Sequence, residues 1–494
     1  MKTFPKPLLI LFLFTIAAGT RSLSGQEMLG MVNSNYSGVN GLIANPSSGL
    51  NSKYWLDIHL VGAGIFAENN FLYIPQEDFW IFDLLDSDYS LPRYGQYERP
   101  AMVLENTNIK EAYTHNRLIL PSVMYANVNR GYAAGLMLQS RFAGSGGNIP
   151  YDVANFGWYG LEYTAQHNIE YDDYDIHSAA LAWSEIGLNF ARVVKRERFD
   201  LWTVGVTAKY LLGHAGFFVN VENVRYVVLN DSTVDIRNMN ARLGYAAPLD
   251  YASNTSPGPG GYITGRGLGF DLGITFIRTP RELKRLFPDR MCSHRFEKYK
   301  YRLGISLLDV GSISFTENAR KHLYDNVSHF WENANQLNYR NLQTFIHDLS
   351  QRFYGDSLQS LTDTALRIGL PTALSIQYDH HHLGNWYFHG GLTAGLPVFG
   401  DASVRRPGQI YVMPRYETRF FEFSLPLSLY RFKTPRIGMA LRFSTFTIGT
   451  EKLGTFLGMS DFNGMDFYFS IRIGFRKGFC REPKSNTPCG DLEF

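Results

Sequence analysis

Residues 267–276 read GLGFDLGITF, with Leu268, Phe270, Leu272, Ile274 and Phe276 alternating with Gly, Gly, Asp, Gly and Thr. Successive side chains leave a pleated strand on opposite faces, so this spacing predicts a β-strand with one bulky apolar face and one small polar face. The same pattern recurs along the chain. Leu56, Ile58 and Leu60 alternate with Asp57 and His59, and Leu136 and Leu138 with Gln139 and Arg141. Ile186, Leu188 and Phe190 alternate with Glu185, Gly187 and Asn189; Val204 and Val206 with Gly205, Thr207 and, further on, Lys209. Near the C-terminus, Phe421, Phe423 and Leu425 flank Glu422 and Ser424, Leu441 and Phe443 flank Arg442, and Ile471 and Ile473 flank Arg472.

The polar face decides what the apolar face touches. The outer face of a soluble sandwich is solvated and usually rich in Lys, Glu and Thr. Here it is small, with isolated charges of both signs, which matches the lining of a narrow barrel whose large residues face lipid. Long connections at 69–116, 144–175 and 317–370 and short charged ones at 195–200 and 431–436 suggest long loops at one rim and short turns at the other. The expectation is an all-β fold, a transmembrane antiparallel β-barrel of about 14 strands with an N-terminal plug segment and long outer loops. About 13 strands are clear candidates, and the missing one is sought within 215–266, where FFVNVENVRYVVL is the weaker candidate.

The 494-residue chain has a net charge of +2, which argues against nucleic acid as a partner. Charged residues make up 19% and aromatics 15%, and the mean hydropathy of −0.18 excludes a bundle of membrane helices but not a barrel. Lys2 and Lys6 followed by an apolar run and small residues form a secretory signal peptide, expected to be cleaved after residue 25. Gln26 stands where a lipoprotein would need an acylated Cys. The expected divisions are 1–25 signal peptide, 26–52 plug or lead segment, 53–476 barrel and 477–494 tail. Of the cysteines, Cys480 and Cys489 bracket the tail and could form a disulfide in an oxidising compartment, leaving Cys292 free.

The lead segment SGVNGLIANPSSGL resembles the N-terminal signature of the long-chain fatty-acid transporter (FadL-like) superfamily, in which a Gly-rich stretch ending in Asn-Pro-Ala precedes the first strand and belongs to a plug inside the barrel. Asn45 and Pro46 match, whereas Ser47 stands where Ala is usual. The type IX secretion shuttle barrel of the Bacteroidetes carries a similar signature. SLLDVGSISF (306–315), LPTALSIQYD (370–379), PRYETRFFEFSLPLSL (414–429) and RIGMALRF (436–443) resemble the recurring blocks of a family of uncharacterised Bacteroidetes proteins known only as a domain of unknown function. That resemblance implies a FadL-like outer-membrane barrel, and it carries no catalytic residues.

Candidate chemistry is sparse. YDHHHLGNWYFH places His380 and His382 on one strand face near Asp379 and His389, which suits a metal, but HHLGN also reads as a hairpin turn; no metal or cofactor is assigned. EYDDYD (Glu170, Asp172, Asp173, Asp175) lacks the EF-hand spacing and reads as a solvated loop. SPGPGGYITGRGLG lacks the Lys-Ser/Thr ending of a nucleotide loop, no G-x-S-x-G elbow is present, and no enzymatic activity is expected. In NLQTFIHDLSQRFYG, Leu342, Phe345, Ile346, Leu349 and Phe353 are spaced for an amphipathic helix stopped by Gly355, either a lid on the rim or a partner-binding or ligand-gating helix.

The strand parity sends Asp57, His59, Arg141, Glu185, Lys209, Asp271, Glu422, Arg442 and Arg472 into the lumen. Opposite charges there would pair across the barrel and stiffen it, or screen solutes along a permeation path. Candidates for the plug and ligand path are Asn45, Pro46, Asp57, His59, Arg141, Asp271, Arg442 and Arg472. Two functions follow: passive uptake of a hydrophobic or amphipathic small molecule across the outer membrane, or a non-transporting accessory barrel that docks envelope or secretion partners through 69–116 and 317–370. Outer-membrane lipid is a partner in both.

Overall fold

The computed structural model describes residues 27–128, 130–197, 199–255, 261–280, 299–336, 339–400 and 402–476. The residues expected to form a signal peptide (1–25), Cys292, Cys480, Cys489 and the tail lie outside the described residues. The strands join in one antiparallel sheet of 21 hydrogen-bonded segments, several of which are pieces of one interrupted strand, so the barrel has 14 strands.

The first five strands are β1 (Leu56–Asn69), β2 (Lys110–Ile119 and Ser122–Asn127), β3 (Tyr132–Ile149), β4 (Glu170–Arg196) and β5 (Asp200–Val228). Next come β6 (Val234–Ala246 and Gly265–Arg278), β7 (Tyr301–Phe315 and Ala319–Trp331), β8 (Leu361–Asp363, Leu366–Gly369 and Ala373–Leu383) and β9 (Trp386–Gly395). The last five are β10 (Gln409–Glu417), β11 (Phe421–Ser424 and Leu427–Tyr430), β12 (Thr434–Ile437 and Met439–Phe443), β13 (Phe446–Thr450) and β14 (Gly464–Phe475). β14 pairs with β1 from Leu56↔Phe475 to Glu68↔Gly464 and closes the ring, which removes the exposed sheet edge that a membrane would not tolerate.

The opening stretch lies in β6. Leu268, Phe270, Leu272 and Ile274 are 59%, 45%, 51% and 37% exposed on the outer wall, while Gly269, Asp271, Gly273 and Thr275 are buried inside. Large outward apolar side chains continue around the ring, including Leu188 and Phe190 on β4, Ile410 and Val412 on β10, and Ile471 and Ile473 on β14. This is the lipid-facing band of a transmembrane barrel. No helix among the described residues is long and apolar enough to cross a membrane.

Several connections differ from the sequence expectation. Residues 69–116 hold the start of β2 from Lys110, and residues 144–175 include the end of β3 and the start of β4. EYDDYD is therefore strand, not loop, and Asp172 pairs with Arg225 on β5 at 3.1 Å. Residues 317–370 likewise carry the upper part of β7 and the first pieces of β8. FFVNVENVRYVVL is no separate strand: it is the upper half of a long β5, and the unrecognised Val234–Ala246 piece of β6 pairs beside it. The turn at 431–433 sits on the rim of the long loops, opposite the rim where β4 passes to β5. Charge and brevity do not tell the two rims apart; only the strand parity does.

The helix expected in the longest connection is present as Leu342–Tyr354. Asn341 caps it by accepting from Thr344 N at 2.8 Å, and Gly355 ends it at φ +77°, a left-handed conformation that suits glycine. Ile346 packs against Leu243, Tyr245 and Tyr251, and Leu349 and Phe353 pack beside Tyr324 and Val327. The helix braces the strands that rise above the rim.

Candidate functional site: the plugged lumen

Residues 27–53 leave the strand pattern and fold inside the barrel. Two short helices, α1 (Leu29–Val32) and α2 (Val39–Ala44), and a 3-10 turn (Pro46–Asn51) are almost wholly buried. The segment is rich in Asn, Ser and Gly because it must fit against both polar and backbone surfaces in a narrow space. Among the described residues, its hydrogen bonds to the wall each use at least one side chain, and none is a strand ladder.

Asn45 and Pro46 seat in a cleft made by missing side chains. A Cβ on Gly205 would lie 2.4 Å from the Pro46 carbonyl carbon; on Gly273, 2.2 Å from Asn45 Oδ1; and on Gly304, 2.9 Å from Asn45 Nδ2. These glycines stand on the neighbouring strands β5, β6 and β7, so the small face of GLGFDLGITF is the floor of the plug's seat. Asn45 Oδ1 accepts from Ser47 N at 3.0 Å, its Nδ2 donates to Thr275 Oγ1 at 3.3 Å, and Asn189 Nδ2 donates to the Pro46 carbonyl at 3.1 Å. Ser306 and Gln377 both donate to the Ala44 carbonyl, at 2.7 Å and 3.1 Å. Ser47, where the resembling signature has Ala, places its hydroxyl 2.6 Å from Thr275 Oγ1.

The lumen charges fall into two groups. In the first, Arg141 on β3 donates to both carboxylate oxygens of Asp309 at 2.7 and 2.8 Å and to Glu185 at 3.3 Å. Lys209 on β5 donates to Asp271 and Asp309, each at 2.7 Å. Asp309 occupies a bulge: Phe270 pairs with Val310 and Leu272 with Leu307, leaving Leu308 and Asp309 opposite Asp271 alone. Its φ of +55° turns the carboxylate inward. Sequence parity did not flag Asp309, because a bulge breaks the alternation, although Asp is among the few residues that tolerate this backbone.

In the second group the wall meets the plug. Glu417 on β10 accepts from Lys53 Nζ at 2.7 Å and from Asn35 Nδ2 at 3.2 Å, and Glu422 on β11 accepts from Ser34 Oγ at 2.6 Å and Arg442 Nε at 3.0 Å. Arg415 donates to the Asn33 carbonyl and, at 3.2 Å, to Asp379, which also takes Arg302 at 2.8 Å and the Tyr299 hydroxyl at 2.5 Å. Burial by itself would lower the Lys53 pKa, but the adjacent Glu417 carboxylate and the Tyr387 and Tyr36 rings hold it above the ordinary lysine value. Arg415 and Glu417 were missed because Tyr411 and Met413 share their inward face and blur the alternation.

Asp57, His59, Arg141, Glu185, Lys209, Asp271, Glu422, Arg442 and Arg472 all lie inside the barrel. Arg141 and Asp271 join the first group, and Arg442 joins the second. Asp57 accepts from Val39 N at 2.8 Å at the start of α2, whereas His59 has both ring nitrogens without a hydrogen-bond partner. The histidine run is divided by the wall: Asp379 and His389 pair across β8 and β9 on the inside, while His382 is exposed at the Gly384–Asn385 turn.

Open space is uneven. At the plug, between Asn45, Thr275, Gln377 and Asp379, a cavity of only about 30 Å³ remains. On the loop side of the Asp309 group the interior turns apolar, with Trp183, Leu211, Phe218, Ile313, Phe315 and Ile368 packed together. A cavity of about 350 Å³ opens beside them, lined by Phe218, Phe315, Leu366, Lys321, Asp363 and Arg367. The lumen is thus filled at the plug and, above the Asp309 group, by this apolar cluster, which Val404 of the β9–β10 connection joins; space opens only beside it.

A model of a family described as "Family of unknown function (DUF5723)" matches residues 46–451. No curated protein matches the chain. Among solved structures, a mutant TodX monoaromatic hydrocarbon channel is 9% identical with a TM-score of 0.45, covering 92% of this chain and 100% of that one. A Pseudomonas aeruginosa FadL homologue is 10% identical with a TM-score of 0.39, covering 93% and 100%. The P. putida toluene transporter TodX is 10% identical with a TM-score of 0.30, also covering 93% and 100%. Likenesses this distant do not transfer a cargo.

Proposed function

Since the chain belongs to the DUF5723 family of unknown function, we propose its role from its own geometry: an outer-membrane channel, closed by its N-terminal plug, for a small amphipathic molecule. The observation that carries this reading is the way the plug is held. Met31, Leu42 and Leu50 pack on apolar wall residues, but the plug's remaining contacts with the wall are side-chain hydrogen bonds and ion pairs, each replaceable by water, and none is a strand pairing, so the plug can shift without breaking the ring. A filler needed only for stability has no need of the charged contacts among these, since buried charge pairs add little over apolar packing.

The class of cargo follows from the order of surfaces. A solute entering from the loop rim meets the apolar cluster around Trp183 and Phe315 first and the Arg141–Asp309 group next. A molecule with one apolar and one polar part can satisfy both; a bare hydrocarbon would have to cross the charged layer unpaired. The Gly-rich, Asn45-Pro46 resemblance to FadL-like plugs and the N-terminal export signal agree with this placement and direction.

Planar-bilayer recording tests the reading. Removal of residues 27–53 is expected to give steady conductance where the full chain gives little. A plug-deleted barrel that folds, as shown by its heat-modifiable gel mobility, and still fails to conduct would overturn the channel in favour of the accessory barrel.

A further inference from the structure

The loop after β1 carries apolar side chains that its own folding does not explain. In the stretch DFWIFDLL (78–85), Phe79 and Ile81 are buried, at 5% and 9% exposure, and Phe79 packs edge-on against Phe462 at 4.7 Å. Those two residues, with the Ile74–Phe462 bridge, hold the loop to the connection between β13 and β14. The alternate positions are free to be polar, yet they are Trp80, Phe82 and Leu84, followed by Leu85 at 82% exposure. The facing connection does the same: Leu457 and Met459 are 57% and 71% exposed.

These residues form one ledge. Trp80 and Phe82 rings lie 4.8 Å apart, Phe82 and Phe456 6.3 Å apart, and Trp80 Nε1 donates to the Phe456 carbonyl at 2.8 Å, so the indole's only polar group is turned inward. Phe456 in turn lies 6.0 Å from Phe467, which is 6.4 Å from Phe469 on the outer face of β14. Below them come Ile471, Ile473 and Phe475, part of the lipid-facing band. The ledge is therefore continuous with a surface already in contact with membrane. Three neighbouring carboxylates turn back on the loop, Asp83 accepting from Trp80 N at 2.7 Å, Asp78 from the Tyr94 hydroxyl at 2.7 Å and Asp461 from Gln76 N at 3.1 Å, while Glu77, Asp86 and Asp88 are exposed beside the ledge.

We propose that residues 80–85 and 453–459 form a leaflet anchor, an apolar ledge that lies in the outer lipid leaflet above the β1–β14 seam and extends the barrel's lipid-facing band beyond the strand ends. Aromatic and aliphatic side chains gain by leaving water at that level, and Trp with its N–H satisfied internally presents only apolar surface to the acyl boundary. The anchor holds the long first loop down over the place where the barrel closes.

Spin labels on the full chain decide it. Leu85→Cys and Met459→Cys are labelled in a background with Cys292, Cys480 and Cys489 replaced by serine, in vesicles of phosphatidylethanolamine and phosphatidylglycerol. Collision with oxygen relative to a water-soluble nickel chelate reads immersion; Leu272→Cys on the outer wall of β6 marks hydrocarbon and Asp231→Cys on an exposed turn marks water. The expected ratios at 85 and 459 are several-fold above that at 231. Ratios equal to that at 231, with 272 reading as lipid, would overturn the anchor and leave the ledge as a surface for a protein absent from the vesicles.

Discussion

The two charged groups in the lumen use the same chemistry for different ends. Around Asp309, cations and carboxylates from β3, β4, β5, β6 and β7 pair with one another, wall to wall, and Arg406, 3.6 Å from Asp309, links the group to Glu27 at the start of the plug. Around Glu417 and Glu422, residues of β10, β11 and β12 pair in part with Ser34, Asn35 and Lys53 of the plug. The first group ties neighbouring strands, and its wall-to-wall pairs need no plug residue; only its Arg406 link reaches the plug among the described residues. The second must exchange partners for the lumen to open. A charge inside a barrel therefore says little by itself; its partner decides whether it stiffens or latches.

The contrast can be broken at its strongest point by Asp309→Ala, which strips Arg141 and Lys209 of a shared carboxylate. A buried cation left without its partner costs about 3–5 kcal/mol, so the temperature of the gel-mobility shift falls sharply while the closed conductance state persists. Glu417→Gln does the reverse. It weakens the hold on Lys53 and Asn35 and is expected to cost about 1–3 kcal/mol, read as brief openings in bilayer recordings with a smaller change in mobility shift. Equal effects of the two substitutions on conductance would erase the distinction.

Gly273→Val sharpens it from the steric side. The added carbon meets Asn45 Oδ1, and overpacking of about 1–3 kcal/mol falls on the plug's seat, giving more frequent openings than the parent shows. The smallest effect is expected away from both groups. Asn341→Ala removes the cap of the bracing helix, which lowers local stability by about 1 kcal/mol; hydrogen exchange in 342–354 speeds up and conductance is unchanged.

The strand alternation was legible because every second residue of a barrel wall faces a different solvent, lipid or lumen, and GLGFDLGITF records both. For the same reason the nine parity-assigned charges lie inside. The helix at 342–354 was legible from its spacing and its terminal glycine. Legibility ended where alternation ended. The Asp309 bulge, the interrupted β6 and β8, and the mixed inward face of β10 hid the residues that organise both charged groups. Sequence parity also placed Asp57, His59 and Arg472 in the lumen without showing that the start of α2 would rest on Asp57.

By itself, then, the sequence determined that the chain is a barrel with a small, charged inner face, because the period of two is imposed locally by the pleat and needs no distant contact. Tertiary structure alone decided what that face holds. Gly205, Gly273 and Gly304 form a seat for Asn45 and Pro46 only once their strands are side by side, and Glu417 meets Lys53 across a sequence separation of 364 residues. Pairing at such distances is chosen by closure of the ring, which local pattern does not encode.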